Sequence, residues 1–141
     1  MSFGVLGELN WLAVVVATIA YFALGGVWFM PFALGKPWMR AMGWEPSAEE
    51  RPSPLMYVGP LVTTFVSSIA IAMLAAASQT DTFVEGLVLG VVTGLGIAGA
   101  IMFITGYFEP KKPQPMIWAA ITGGYHLAGL LIVSVILAVW Q

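Results

Sequence analysis

The sequence predicts an all-α, polytopic membrane protein with four transmembrane helices and a short interfacial helix between the first and second. Three observations carry this reading. Of 141 residues, 60% are hydrophobic and only 9% charged, whereas soluble domains carry about 25% charged residues; the mean hydropathy is +0.92. The five Lys/Arg and seven Asp/Glu leave four charge-free stretches, Leu9–Gly35, Pro52–Thr80, Gly86–Phe108 and Pro113–Gln141. Each reaches or exceeds the ~20 apolar residues needed to cross a ~30 Å hydrocarbon core as a helix. The third observation is that all five basic side chains fall in alternate connections. A soluble enzyme, a nucleic-acid binder and a disordered tail are excluded, since the densest basic run is Lys111-Lys112.

The first span is expected over about residues 9–30. Glu8 and Asn10 sit at its start with Trp11 at the first interface. Trp28, Phe29 and Phe32 mark the other headgroup level, and Pro31 stops the helix. In residues 31–44, Trp38, Met39 and Met42 share one helical face while Lys36 and Arg40 lie toward the other. This pattern reads as a short interfacial helix anchored by Trp28, Lys36, Trp38 and Arg40; an ordinary loop with interfacial aromatics is the alternative. Glu45–Pro54, rich in Glu and Pro, reads as a solvated turn.

The second span covers about 55–78, with Tyr57 at its start and Pro60 in its first turns, where a missing N–H costs little. Residues 79–83 form a tight connection, so the second and third spans are expected to be antiparallel neighbours. The third span covers about 84–107. Phe108–Pro115 is too proline-rich for a helix, and the fourth span follows over about 116–140, with Trp118 and Trp140 as its belts. Four spans in residues 1–141 leave no room for a second folded domain.

Lys36, Arg40 and Arg51 lie in the first connection and Lys111 and Lys112 in the third, a 5:0 bias. The positive-inside rule then places connections one and three in the cytoplasm and both termini on the opposite face. The first stretch lacks the basic n-region and small-residue cleavage site of a secretory signal, and reads as a retained helix.

Inside the membrane, chemistry is scarce. Cysteine is absent and histidine occurs once, at His126, so no metal site and no cofactor is expected. Counting from Pro115, His126 lies about 16 Å deep, near the midplane, where an ionisable group is a functional hypothesis by default. Thr64, Ser67 and Ser68 of the second span, Thr93 of the third, Tyr21 of the first, and Thr122 and Tyr125 beside it are its candidate hydrogen-bond partners. It reads first as a neutral interhelical tie, next as a group that handles a proton or ligand, and last as a metal or haem ligand shared across an oligomer axis. Gly86, Gly90 and Gly94, with Gly96 and Gly99 beyond, form a flat groove on the third span, and Ala120, Gly124 and Ala128 form a similar ridge on the fourth. Such grooves serve close packing, within one chain or between copies. Asp81 and Glu85 start the third span, where the positive end of the helix dipole favours them.

Asn10-Trp11, Gly25-Gly26-Val27-Trp28-Phe29-Met30-Pro31, Gly35-Lys36-Pro37-Trp38-Met39 and the late Gly124-Tyr125-His126 with Gly129 together resemble the signature of domain-of-unknown-function family 1761. The resemblance spans nearly the whole chain and implies a small bacterial four-helix protein of the inner membrane. Phe29 stands where the resemblance implies tyrosine. A small multidrug transporter would need a glutamate embedded in the first span, and residues 9–30 have none.

The expected function is non-enzymatic: a membrane protein with the lipid bilayer as its surroundings, acting as a homo-oligomer or as a subunit of a larger complex, with no nucleic-acid partner. The alternative is a small transporter or channel for a proton, ion or small solute that uses His126.

Overall fold

The computed structural model describes residues 2–45 and 53–141. Arg51 and most of the turn expected over residues 45–54 therefore lie outside the described residues. A single 3-10 turn, Phe3–Gly7, precedes α1 (Trp11–Trp28), α2 (Gly35–Met42) and α3 (Leu55–Ser78). The third span, Phe83–Tyr107, is continuous. It consists of α4 (Phe83–Val91), a π-helical segment (Val92–Gly99) and α5 (Ala100–Tyr107). α6 (Pro115–Val139) closes the chain. Four helices are long and apolar enough to cross a membrane, and the short α2 lies between the first two.

Local chemistry sets the ends. Asn10 Oδ1 accepts from the Ala13 N–H at 3.1 Å and caps α1. Thr82 and Glu85 form a reciprocal capping box at the start of α4, so the Glu85 carboxylate is engaged by its own helix start. Gly43 ends α2 in the left-handed region at φ 70°, and Gln79 ends α3 at φ 54°. Pro115 opens α6, where its missing N–H is no loss.

α6 is the hub: α1, α2, α3 and the third span all pack on it, and α1 also packs on α3. The core is built from Ala13, Val14, Ala17 and Tyr21 of α1, Ile71 and Ala72 of α3, and Tyr125, Leu130, Val133 and Leu137 of α6. Among the described elements, the third span packs along its length chiefly on α6. This corrects the expectation that a tight connection makes the second and third spans packed neighbours. α3 and the third span take separate positions on α6, because the glycine stripe of the third span faces α6. A Cβ on Gly90 would lie 2.7 Å from Leu131 Cα, and one on Gly94 3.0 Å from Leu127 Cα. Glycine there permits a backbone approach that no other residue allows.

The π segment explains how one face stays on α6 for the whole length. The third span meets α6 at Gly86, Gly90, Gly94, Met102 and Gly106, positions separated by multiples of four. In an α-helix a stride of four drifts by about 40° per step, and the wider winding of a π segment turns that drift back.

Ser134 of α6 is fully buried (0% exposed), and its Oγ has no hydrogen-bond partner among the described residues. A buried hydroxyl left unpaired costs about 1–3 kcal/mol. Ser134→Ala is therefore expected to leave stability unchanged or raise it, by up to about 1 kcal/mol. Thermal unfolding in detergent measures this, and a clear drop in midpoint would show that the hydroxyl has a partner after all.

Candidate functional site

Aromatic side chains of α1 and α6 seat reciprocally on glycines of the other helix. The ring of Tyr21, only 2% exposed, fills the space a Cβ on Gly129 would need. In return the Tyr125 ring lies over Gly25, with its hydroxyl 3.1 Å from the position of a Cβ there. Trp28 covers Gly124 at 3.3 Å in the same sense. At Gly129 the ring leaves no room for a Cβ, while at Gly25 and Gly124 a Cβ would press on the facing ring at 3.1 and 3.3 Å.

This seating brings the Tyr21 hydroxyl to 2.5 Å from Nδ1 of the partly buried His126. Tyr125 donates to the Tyr21 carbonyl at 3.4 Å. Nδ1 is the sole partner of the Tyr21 hydroxyl among the described residues. A buried phenol places its hydrogen on an acceptor, so we assign Tyr21 as donor and Nδ1 as acceptor. The neutral ring then carries its hydrogen on Nε2, which bonds to no described residue.

Toward the membrane surface α2 closes over this cluster. Trp38 Nε1 donates to Thr122 Oγ1 at 3.1 Å, one helical turn before His126, and Trp28 Nε1 donates to the Ile121 carbonyl at 3.1 Å. Ring centroids follow one another from Trp44 to Trp38 (6.4 Å), Phe29 (5.0 Å), Tyr125 (5.3 Å) and His126 (4.9 Å). Phe29, where the resemblance implied tyrosine, is a packing member of this row.

The expected partners of His126 thus divide. Tyr21 bonds to it and Tyr125 packs on it, while Thr122 is taken by Trp38. Thr64, Ser68 and Thr93 turn their hydroxyls back onto carbonyls of their own helices, at Pro60, Thr64 and Leu89 respectively. Ser67 is partly buried and enters no hydrogen bond with a described residue. Trp28 and Trp38, expected to anchor at the headgroups, are partly buried ties to α6, whereas Lys36 and Arg40 are exposed. Gly86, Gly90 and Gly94 are occupied by α6 of the same chain, and Gly124 receives a tryptophan side chain rather than a helix backbone. Gly25, Gly129 and Gly35 matter to the site although sequence reasoning gave them no role. For Gly25 and Gly129 the signal was a glycine standing opposite a large aromatic at matching depth, whereas Gly35 lies against the Phe29 and Met30 carbonyls, a contact that no sequence pattern marks.

A family model described as "Protein of unknown function (DUF1761)" matches residues 12–138. The chain belongs to that family. No curated protein and no solved structure matches it significantly. In this DUF1761 chain, the separate segments that carried the resemblance meet in space. Gly25, Trp28 and Phe29 from α1 and its end, Gly35 and Trp38 from α2, and Tyr125, His126 and Gly129 from α6 form one aromatic and glycine cluster. The chemistry it offers is an imidazole polarised by the Tyr21 hydroxyl, with an Nε2 that bonds to no described residue.

Proposed function

We propose that this DUF1761 protein is a non-enzymatic membrane subunit that works by associating with other membrane-embedded chains, as a homo-oligomer or within a larger complex of the bacterial inner membrane. The observation that carries this reading is the third span, which among the described residues packs chiefly on α6 and is largely exposed on its other faces. Gly96 lies on a bare face, with nothing within 4 Å of where its Cβ would stand. In a bilayer, helices associate through close packing at small residues rather than through exclusion from water. The inward stripe Gly86, Gly90 and Gly94 is already filled and is not the proposed interface. Connections one and three face the cytoplasm in this reading, following their basic residues.

The chain contains no cysteine, so Gly96→Cys introduces a unique thiol. Oxidative crosslinking in native membranes, followed by native mass spectrometry, is expected to give a disulfide-linked dimer or a defined larger complex. A strictly monomeric, adduct-free protein from Gly96→Cys, and likewise from Val92→Cys and Val58→Cys, would sink the proposal.

A second reading, transport of a proton, ion or small solute, is favoured by one observation, that His126 Nε2, the donor in the tautomer assigned above, bonds to no described residue. An unpaired donor in hydrocarbon is costly, and a permeating acceptor would satisfy it. Flux into proteoliposomes that is unchanged by His126→Ala counts against this reading.

A further inference from the structure

We propose that Lys36 and Arg40, on the outer face of α2, form a clamp for the headgroup of an anionic phospholipid. The argument begins with how firmly α2 is held. The Leu34 and Gly35 N–H groups donate to the Trp28 and Met30 carbonyls, both at 3.0 Å. Gly35 itself sits so close to the Phe29 and Met30 carbonyls that a Cβ has no room. Trp38 bonds to Thr122, the Gln114 N–H donates to the Ala41 carbonyl at 3.1 Å, and Gly43 lies against Pro113.

With Gly35 and Ala41 buried and Trp38 turned to α6, the helix has one orientation left, and Lys36 and Arg40 face outward one turn apart. Their Cα atoms are separated by a rise of about 6 Å, a spacing that lets both cations reach one phosphate. Arg offers the planar fork that phosphate accepts in bidentate fashion, and Lys adds a compact charge. Phe32, 81% exposed just ahead of them, is placed to enter the acyl region. A clamp built on an already fixed helix loses little freedom on binding.

Neither cation has an ion-pair partner among the described residues, where the one ion pair is Lys112 with Glu109 at 3.1 Å. Hydrogen bonds from the Lys112 ammonium and the Lys111 backbone N–H hold the Glu109 carboxyl below the usual carboxylate range. That carboxylate stays ionised and engaged on its own loop, although the loop lies beside α2.

The test uses the full chain in detergent with added phosphatidylglycerol, phosphatidylcholine or inorganic phosphate, read by native mass spectrometry of retained lipid. Phosphatidylglycerol is expected to be retained in preference to phosphatidylcholine, and inorganic phosphate should not displace it. A basic residue near an anionic surface contributes enough that Lys36→Gln/Arg40→Gln is expected to reduce that preference about tenfold or more. The charge-matched pair Lys111→Gln/Lys112→Gln should reduce it far less. Equal loss from the two double variants, no preference in the parent chain, or displacement by inorganic phosphate would each overturn the clamp. Circular dichroism checks that the double variant is folded. If it is not, the single variants Lys36→Gln and Arg40→Gln are measured instead, each expected to lose part of the preference and overturning the clamp if neither does.

Discussion

Gly129→Ala is expected to destabilise the protein by about 2–4 kcal/mol, although it adds one methyl group. The ring of Tyr21 already occupies the space of that methyl, and Tyr21 is enclosed by core residues of α1, α3 and α6. Forcing extra volume into a packed interior costs about 1–3 kcal/mol. Displacing the ring also breaks its bond to His126, and an interhelical hydrogen bond within a membrane contributes about 0.6 kcal/mol on average and up to about 1.7. Tyr21→Phe, which keeps the ring and removes the hydroxyl, should cost only that second part. The double variant Tyr21→Ala/Gly129→Ala should be no less stable than Tyr21→Ala alone, because the ring that opposed the methyl is gone. Unfolding in mixed micelles measures all four proteins. A Gly129→Ala protein as stable as the parent would mean that α1 and α6 are not seated in this way.

Gly90→Leu is expected to have the second large effect, about 3 kcal/mol or more, with a different signature. Here the new side chain meets backbone, since a Cβ would lie 2.7 Å from Leu131 Cα, and a helix backbone cannot rotate aside as a ring can. Among the described residues the third span is held chiefly by α6, so its contact should be lost while the core of α1, α3 and α6 remains. Loss of protection in α4 and α5 during hydrogen exchange, with α1 and α6 still protected, is the expected pattern. Gly96→Leu, on the bare flank of the same span, serves as control in the detergent-dispersed monomer, where no other chain covers that flank, and should leave exchange there unaltered. Equal effects from Gly90→Leu and Gly96→Leu would refute the docking of the glycine stripe on α6.

Much of the fold was legible because the bilayer imposes it. A helix must satisfy its own backbone in hydrocarbon, so long charge-free runs announce spans whatever they pack against. The second span was expected over about 55–78 and runs Leu55–Ser78. The first, expected over about 9–30, is shorter at Trp11–Trp28, because Asn10 caps one end and the chain turns before Pro31 at the other. The π segment was not legible, since a glycine stride of four reads the same in a straight helix.

The site was legible in part. His126 stood out as the lone histidine at depth, and Tyr21 and Tyr125 were among its expected neighbours. The hydroxyls of Thr64, Ser68 and Thr93 were at suitable depths as well, but depth does not say which way a side chain turns. In each of these helices a carbonyl one turn back accepts the hydroxyl.

By itself, the sequence determined the number of spans, their approximate limits, the one-sided placement of the basic residues and the rarity of ionisable groups within the membrane. These follow from the composition of single segments against a uniform apolar solvent. Only the tertiary structure decided that α6 is the hub, that α3 and the third span sit apart on it, that α2 is seated rather than free, and that Tyr21 is the one to reach His126. Those outcomes depend on shape matched between segments far apart in sequence, glycine against ring and glycine against backbone. No single segment carries that information.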